Sequence, residues 1–117
     1  MINLPVDEAY AFDYLTILQV KSEVNPQNPA LRAAYDACLA ALRAQLGDST
    51  DTILHSPEYA ALLASNRLTF DAVDRAHSGD SITAKEVDDC NMQRFSCKMA
   101  LQRRFFSGDL VEAKLSR

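Results

Sequence analysis

The stretch Thr83 to Phe106, TAKEVDDCNMQRFSCKMALQRRFF, constrains this chain more than any other. Ile82, Thr83, Glu86 and Val87 fill the N′, N-cap, N3 and N4 positions of a helix, combining a capping box with a hydrophobic staple. Ser107-Gly108 follows the last apolar pair, Phe105-Phe106, and a glycine there is the usual left-handed stop. At about 100° per residue, Val87, Cys90, Cys97, Leu101 and Phe105 form one apolar band, and Met92, Phe95, Met99 and Phe106 form a second beside it. Asn91, Arg94, Lys98 and Gln102 run between the two bands. An arc this wide exceeds the stripe of an ordinary surface helix. The pattern predicts a central helix with neighbours on two sides and a polar line at least partly enclosed between them.

The remainder of the chain sets the class. With 117 residues, 48% of them hydrophobic and only three glycines and four prolines, the sequence suits one helical domain that forms a core without disulfides or metals. A net charge of −4 with no concentrated basic face argues against a general nucleic-acid binder. No apolar run is long enough to span a bilayer, so no membrane partner is expected. The opening MINLPVDEAY lacks a basic segment and carries acids where a signal peptide is apolar, so a cytoplasmic location is expected. Cys90 and Cys97, seven apart on one helix, stand about 10.5 Å apart along its axis. That spacing rules out a disulfide or a shared metal for this pair, and with Cys38 they read as small buried apolar residues.

Periodicity and capping predict four helices over about 5–24, 29–46, 57–76 and 84–106, in a single domain spanning 1–117. Pro5 stands at N1 of the first, with Asp7 and Glu8 in the first turn where the helix dipole favours acids. Val6, Tyr10, Ile17, Val20 and Val24 share one face, and Phe12, Tyr14, Leu15 and Leu18 make the helix apolar nearly all round. Asp13 falls inside that face and needs a partner. Asn28 and Pro29 open the second helix, whose stripe is Leu31, Tyr35, Cys38, Leu39, Leu42 and Leu46, and Gly47 ends it. A polar connection over 47–55, with Ile53 and Leu54 available for packing, leads to Ser56-Pro57 and the third helix. Its face is Tyr59, Leu62, Leu63, Phe70 and Val73, with Asn66 placed to bond between helices and His77 to cap the end. The tail from Asp109 to Arg117 either docks as one further turn or stays mobile.

Chemistry is present only in fragments. Asp71, Asp74 and His77 recur every three residues, but a carboxylate-bridged di-metal bundle needs two Glu-x-x-His pairs and two further glutamates, which the sequence lacks. A glycine-rich phosphate loop, a CxxC pair and a nucleophile-elbow serine are missing too. General base work would fall to His55, His77 or a perturbed carboxylate, for which Asp13 is the best placed. No catalytic residue, metal or cofactor is therefore expected.

Two runs resemble a known family. Phe12-Asp13-Tyr14-Leu15-Thr16-Ile17-Leu18-Gln19-Val20-Lys21 is similar to the opening helix of an uncharacterised family of short bacterial helical proteins, which reads Asp-x-Leu-Ser/Thr-Ile-Leu-x-Ile/Val-Lys. Asn91-x-x-Arg94-x-x-x-Lys98, followed by Gly108-Asp109-Leu110-Val111-Glu112-x-Lys114, resembles its last helix and tail. Tyr14 replaces a commonly basic residue and Gln19 a common glutamate, the break at 78–81 is unusual, and the middle of the chain is not covered. The resemblance implies no assigned activity, and some members resemble accessory proteins of surface-glycan assembly.

The residues matched by the resemblance, Asp13, Asn91, Arg94 and Lys98, are those the helical projection places on apolar faces. With the first and last long helices adjacent, Asp13 accepts from Arg94 in a charge-assisted pair, Asn91 orients it and Lys98 lies nearby. Such a cluster either fixes helix register or forms a small-anion or sugar-phosphate site. The expectation is an all-α, antiparallel four-helix bundle with short loops. It would serve as a non-catalytic accessory or protein-interaction module, a homodimer with a further, unidentified protein partner.

Overall fold

The computed structural model describes residues 2, 4–107 and 110. It is all-helical among the described residues, with α1 (Glu8–Val24), α2 (Pro29–Leu46), a short α3 (Ser49–Leu54), α4 (Pro57–His77) and α5 (Ala84–Phe106). Three of the starts follow the expected side-chain caps: Asn28 accepts from the Ala30 N–H, Ser56 Oγ from the Tyr59 N–H and Thr83 Oγ1 from the Glu86 N–H, each at 3.1 Å. Gly47 closes α2 at φ 61°, a conformation that favours glycine, and its N–H reaches the Arg43 carbonyl. At the end of α5 the left-handed residue is Ser107, at φ 55°. The expected glycine stop, Gly108, lies outside the described residues, as do 109 and 111–117 of the tail.

Three expectations are corrected. The first helix starts at Glu8 instead of Pro5. Pro5 and Val6 are exposed with no surface to bury against, and the free Ala9 N–H in the first turn of α1 is taken by Gln102 Oε1 of α5 at 2.9 Å, which sets where the helix begins. The connection over 47–55 contains a helical turn and a half, α3, held because Ile53 is fully buried and Thr50 Oγ1 donates to the Leu42 carbonyl. The central element is α1 and not α5. Helix α1 packs against α2, α4 and α5, while α2 makes its main contacts with α1 and α3.

Burial follows from that arrangement. Helix α1 buries Ala9, Phe12, Asp13, Leu15, Thr16, Leu18 and Val20, whereas α5 buries Met99, Leu101 and Gln102 and α2 buries Leu42 alone. The buried face of α1 is centred on Ala9, Phe12 and Thr16. The predicted face, Val6 to Val24, lies partly in solvent, with Val6 and Val24 both exposed. Ala9 and Thr16 lie where α1 meets α5 and α4, through the Gln102 and Asn66 side chains, a contact that apolar periodicity does not weigh. Phe12 anchors the core with its ring edge-on to Tyr59 at 6.2 Å and tilted against Phe106 at 6.4 Å. Around it gather Leu15, Leu42, Ile53, Leu62, Leu101 and Leu110.

Contacts between side chains give the relative directions. Thr69 reaches the Cys90 carbonyl and Arg104 pairs with Glu58, so α4 and α5 run oppositely. Ala9 meets Gln102 and Asp13 meets Arg94, so α1 and α5 do as well. A bidentate pair, Arg67 to Glu23, ties α4 to α1, and being half exposed contributes at most about 1 kcal/mol. Because Ile53 is fully enclosed, Ile53→Ala should cost about 2–5 kcal/mol in urea denaturation. A loss of a few tenths would show that α3 is only a surface turn.

Candidate functional site

The functional candidate is a buried polar cluster on α1, α4 and α5. Asp13 lies in the middle of α1, and its side chain is 8% exposed. Its Oδ1 accepts from Asn66 Nδ2 of α4 at 2.8 Å, and its Oδ2 from Arg94 Nη2 of α5 at 2.9 Å. Lys98, one turn beyond Arg94, holds its Nζ 4.0 Å from the same Oδ2 and 4.5 Å from the centroid of the Tyr10 ring. Asn66 Nδ2 also donates to Thr16 Oγ1 at 2.6 Å, and that hydroxyl donates to the Asp13 carbonyl at 2.6 Å. One carboxylate thus joins three helices.

Arg94, Lys98 and Gln102 follow one another at intervals of four on α5, and all three face α1: they meet Asp13, then Asp13 and Tyr10, then the Ala9 N–H. This is the polar line expected between the two apolar bands. Asn91 does not continue it. Its side chain is exposed, and the amide on Asp13 is Asn66. At the level of Asn91, α5 has turned toward α4, where the Cys90 carbonyl meets Thr69. Sequence reasoning placed Asn66 between helices without assigning it to Asp13, and it passed over Thr16. The legible signal was that Asn66, like Asp13, interrupts an otherwise apolar face.

The electrostatics are unbalanced. Two cations, Arg94 and Lys98, share one carboxylate, which leaves the cluster with a net charge of +1. Burial holds the Lys98 ammonium below the ordinary lysine range, Asp13 acts in the opposite sense, and Arg94 depresses it further. The Arg94 Nε is buried without a hydrogen-bond acceptor. Beside the cluster, among α1, α4 and α5, a pocket of about 190 Å³ is lined by Ile17, Val20, Asn66, Thr69, Phe70, Val73 and Arg94.

The hydroxyls near the pocket are committed to the helix backbone, Thr69 to the Ser65 carbonyl and Ser65 to that of Leu62. His55 Nδ1 lies against the Asp51 carbonyl, away from the cluster, and both histidines are exposed. Among the described residues no group of three metal-ligating side chains forms, and Asp71, Asp74 and His77 do not converge. What the arrangement presents is a mainly apolar pocket with a guanidinium among its lining residues. Comparison with known protein families, with curated proteins and with solved structures returned no match.

The geometry ranks the members of the cluster. Asp13→Leu leaves Arg94 and Lys98 without their carboxylate and the Asn66 amide with Thr16 as its remaining acceptor, and should cost on the order of 3–5 kcal/mol. Lys98→Met forfeits a cation–π contact worth about 0.5–2 kcal/mol but removes a desolvated charge, so its net effect near neutrality should be small or stabilising. The pH dependence carries the sign. A lysine whose folded value is depressed binds fewer protons folded than unfolded between that value and its ordinary 10.5, so wild type should gain stability relative to Lys98→Met as pH rises through that window. Urea midpoints for the three proteins at neutral pH and near pH 10.5 check this. A Lys98→Met loss as large as that of Asp13→Leu would mean that the ammonium is what holds the carboxylate.

Proposed function

We propose that the protein is a non-catalytic helical interaction module of the cytoplasm. Its four long helices are read as an antiparallel bundle in which α3 is a turn of the second connection. The observation that carries the reading is an apolar groove along α1 and α4. The 190 Å³ pocket shares Phe70 with a second hollow lined by Lys21, Val24, Asn25, Asn28 and Leu31. Together they run from Arg94 to the start of α2, with Val24 and Val73 exposed on the rims. A surface of this kind is what partner proteins cover. The absence of any helix, among the described residues, long and apolar enough to cross a membrane agrees with this.

A second copy of the chain is the partner we propose first, since closed two-fold pairing is the commonest way to cover such a surface; a further protein partner and the resemblance to short bacterial helical proteins belong to the same reading. Light scattering at micromolar concentration should return about twice the chain mass of 13.0 kDa. Val24→Lys, which charges the groove without touching the core, should shift the mass toward the monomer. A mass near 13.0 kDa at all concentrations would remove the homodimer.

A ligand-binding role at Arg94 is favoured by one separate observation, the uncompensated positive charge of the cluster at the edge of a pocket. Three of the residues named for that role in the sequence, Asp13, Arg94 and Lys98, meet in space, while Asn91 stands apart. The apolar walls suit a sugar phosphate poorly.

A further inference from the structure

The pocket beside Arg94 is chemically two-sided. Ile17, Val20, Phe70 and Val73 make its walls, and no acid is among its lining residues. Its polar contribution is narrow. The Asn66 amide nitrogen is committed to Asp13 and Thr16, and Thr69 donates to the helix backbone. As a donor that leaves Arg94, whose Nη2 is fixed on Asp13 while about a quarter of the side chain stays accessible. With Nη2 on the carboxylate and Nε buried, Nη1 is the terminal nitrogen left for an anion, and a guanidinium so held is a preorganised receptor because its rotamers are already restricted.

Charge and volume then select the occupant. Arg94 and Lys98 against Asp13 leave one positive charge, which a monoanion neutralises and a dianionic phosphate exceeds. A cavity of about 150 Å³ lined by apolar side chains holds a benzene ring, so 190 Å³ accommodates a ring or a short branched chain bearing one carboxylate. Sugar hydroxyls would give up water against four apolar side chains and find few donors or acceptors in return.

We propose that this pocket binds a monoanionic carboxylate with a compact apolar body, aromatic or branched, its carboxylate on the Arg94 guanidinium and its body between Ile17, Val20, Phe70 and Val73. The assignment rests on the ligand-binding reading of the cluster and narrows it to one chemical class.

The test uses the full chain, with sodium benzoate and sodium isovalerate as probes, benzamide as the uncharged counterpart of benzoate, and inorganic phosphate and glucose 6-phosphate as the competing class. Methyl-region NMR should show saturable shifts at Ile17, Val20 and Val73 with both carboxylates, and benzamide and the phosphates should bind more weakly by roughly tenfold or more. Val73→Glu sits on an exposed rim, leaves the Asp13 pair in place and sets a carboxylate of the protein itself at the pocket mouth. It should keep the far-UV circular dichroism and urea midpoint of the wild type and lower benzoate affinity by about tenfold or more. Benzamide binding as well as benzoate, or benzoate binding unchanged in Val73→Glu, overturns the proposal. Phosphate or glucose 6-phosphate binding in place of benzoate overturns the carboxylate class and leaves a small-anion site standing. If no probe shifts the pocket methyls or the Arg94 side-chain resonances, the ligand-binding reading falls with it.

Discussion

The structure depends on how one carboxylate is satisfied. Asp13 is enclosed in the most buried helix of the molecule, where an isolated charge would be strongly unfavourable. It persists because α4 supplies an amide to one oxygen and α5 a guanidinium to the other. These are directional bonds, and they hold only for one rotation and one axial offset of each neighbouring helix. The apolar core around Phe12 supplies most of the driving force for association of the helices, since burial is non-directional and scales with area. The polar cluster selects among the packings that such a core would otherwise tolerate. A helix apolar nearly all round, as α1 is, needs that selection more than an amphipathic one.

The same logic explains why α1, and not the strongly capped α5, is the hub. Caps and staples specify where a helix starts, and Thr83 does this for α5, but they carry no information about how many neighbours the helix will have. That number follows from the size of the residues on its faces. Ala9 and Thr16 are small and lie on the side of α1 that meets α4 and α5, so three helices come together there. Helix α5 meets α1 through Arg94, Lys98 and Gln102, from its middle onward. Its first half meets α4 at Cys90, and the pocket is walled by α1 and α4 with Arg94 as its one residue from α5.

Much of this was legible beforehand. Three helix starts were encoded in Asn28, Ser56 and Thr83 acting as caps, and the second-helix stripe through Leu42 was encoded in an unambiguous period. The meeting of Asp13 with Arg94 and Lys98 was readable because charges on apolar faces must find each other. What was not readable has physical causes. The buried face of α1 could not be chosen by periodicity when most of its circumference is apolar. Helix α3 is too short to carry a pattern of its own, and it exists because Ile53 and Thr50 find partners on the bundle. Asn91 and Asn66 were equivalent as sequence signals, both amides among apolar residues, and only the crossing of α5 over α4 decided which one reaches Asp13.

The bond from the Ala9 N–H to Gln102 spans 93 residues of chain, and that from Arg94 to Asp13 spans 81. A ribosome adding residues at about 5–20 per second needs roughly 5–20 s to cover that distance. Throughout that interval the Ala9 N–H lacks Gln102 and the Asp13 carboxylate lacks the guanidinium it will keep. The faces of α1 that meet α2 and α4 have their partners earlier, whereas the face toward α5 waits for residues 94–102. Docking of α5 on α1 is therefore delayed by sequence separation, however quickly each helix forms on its own.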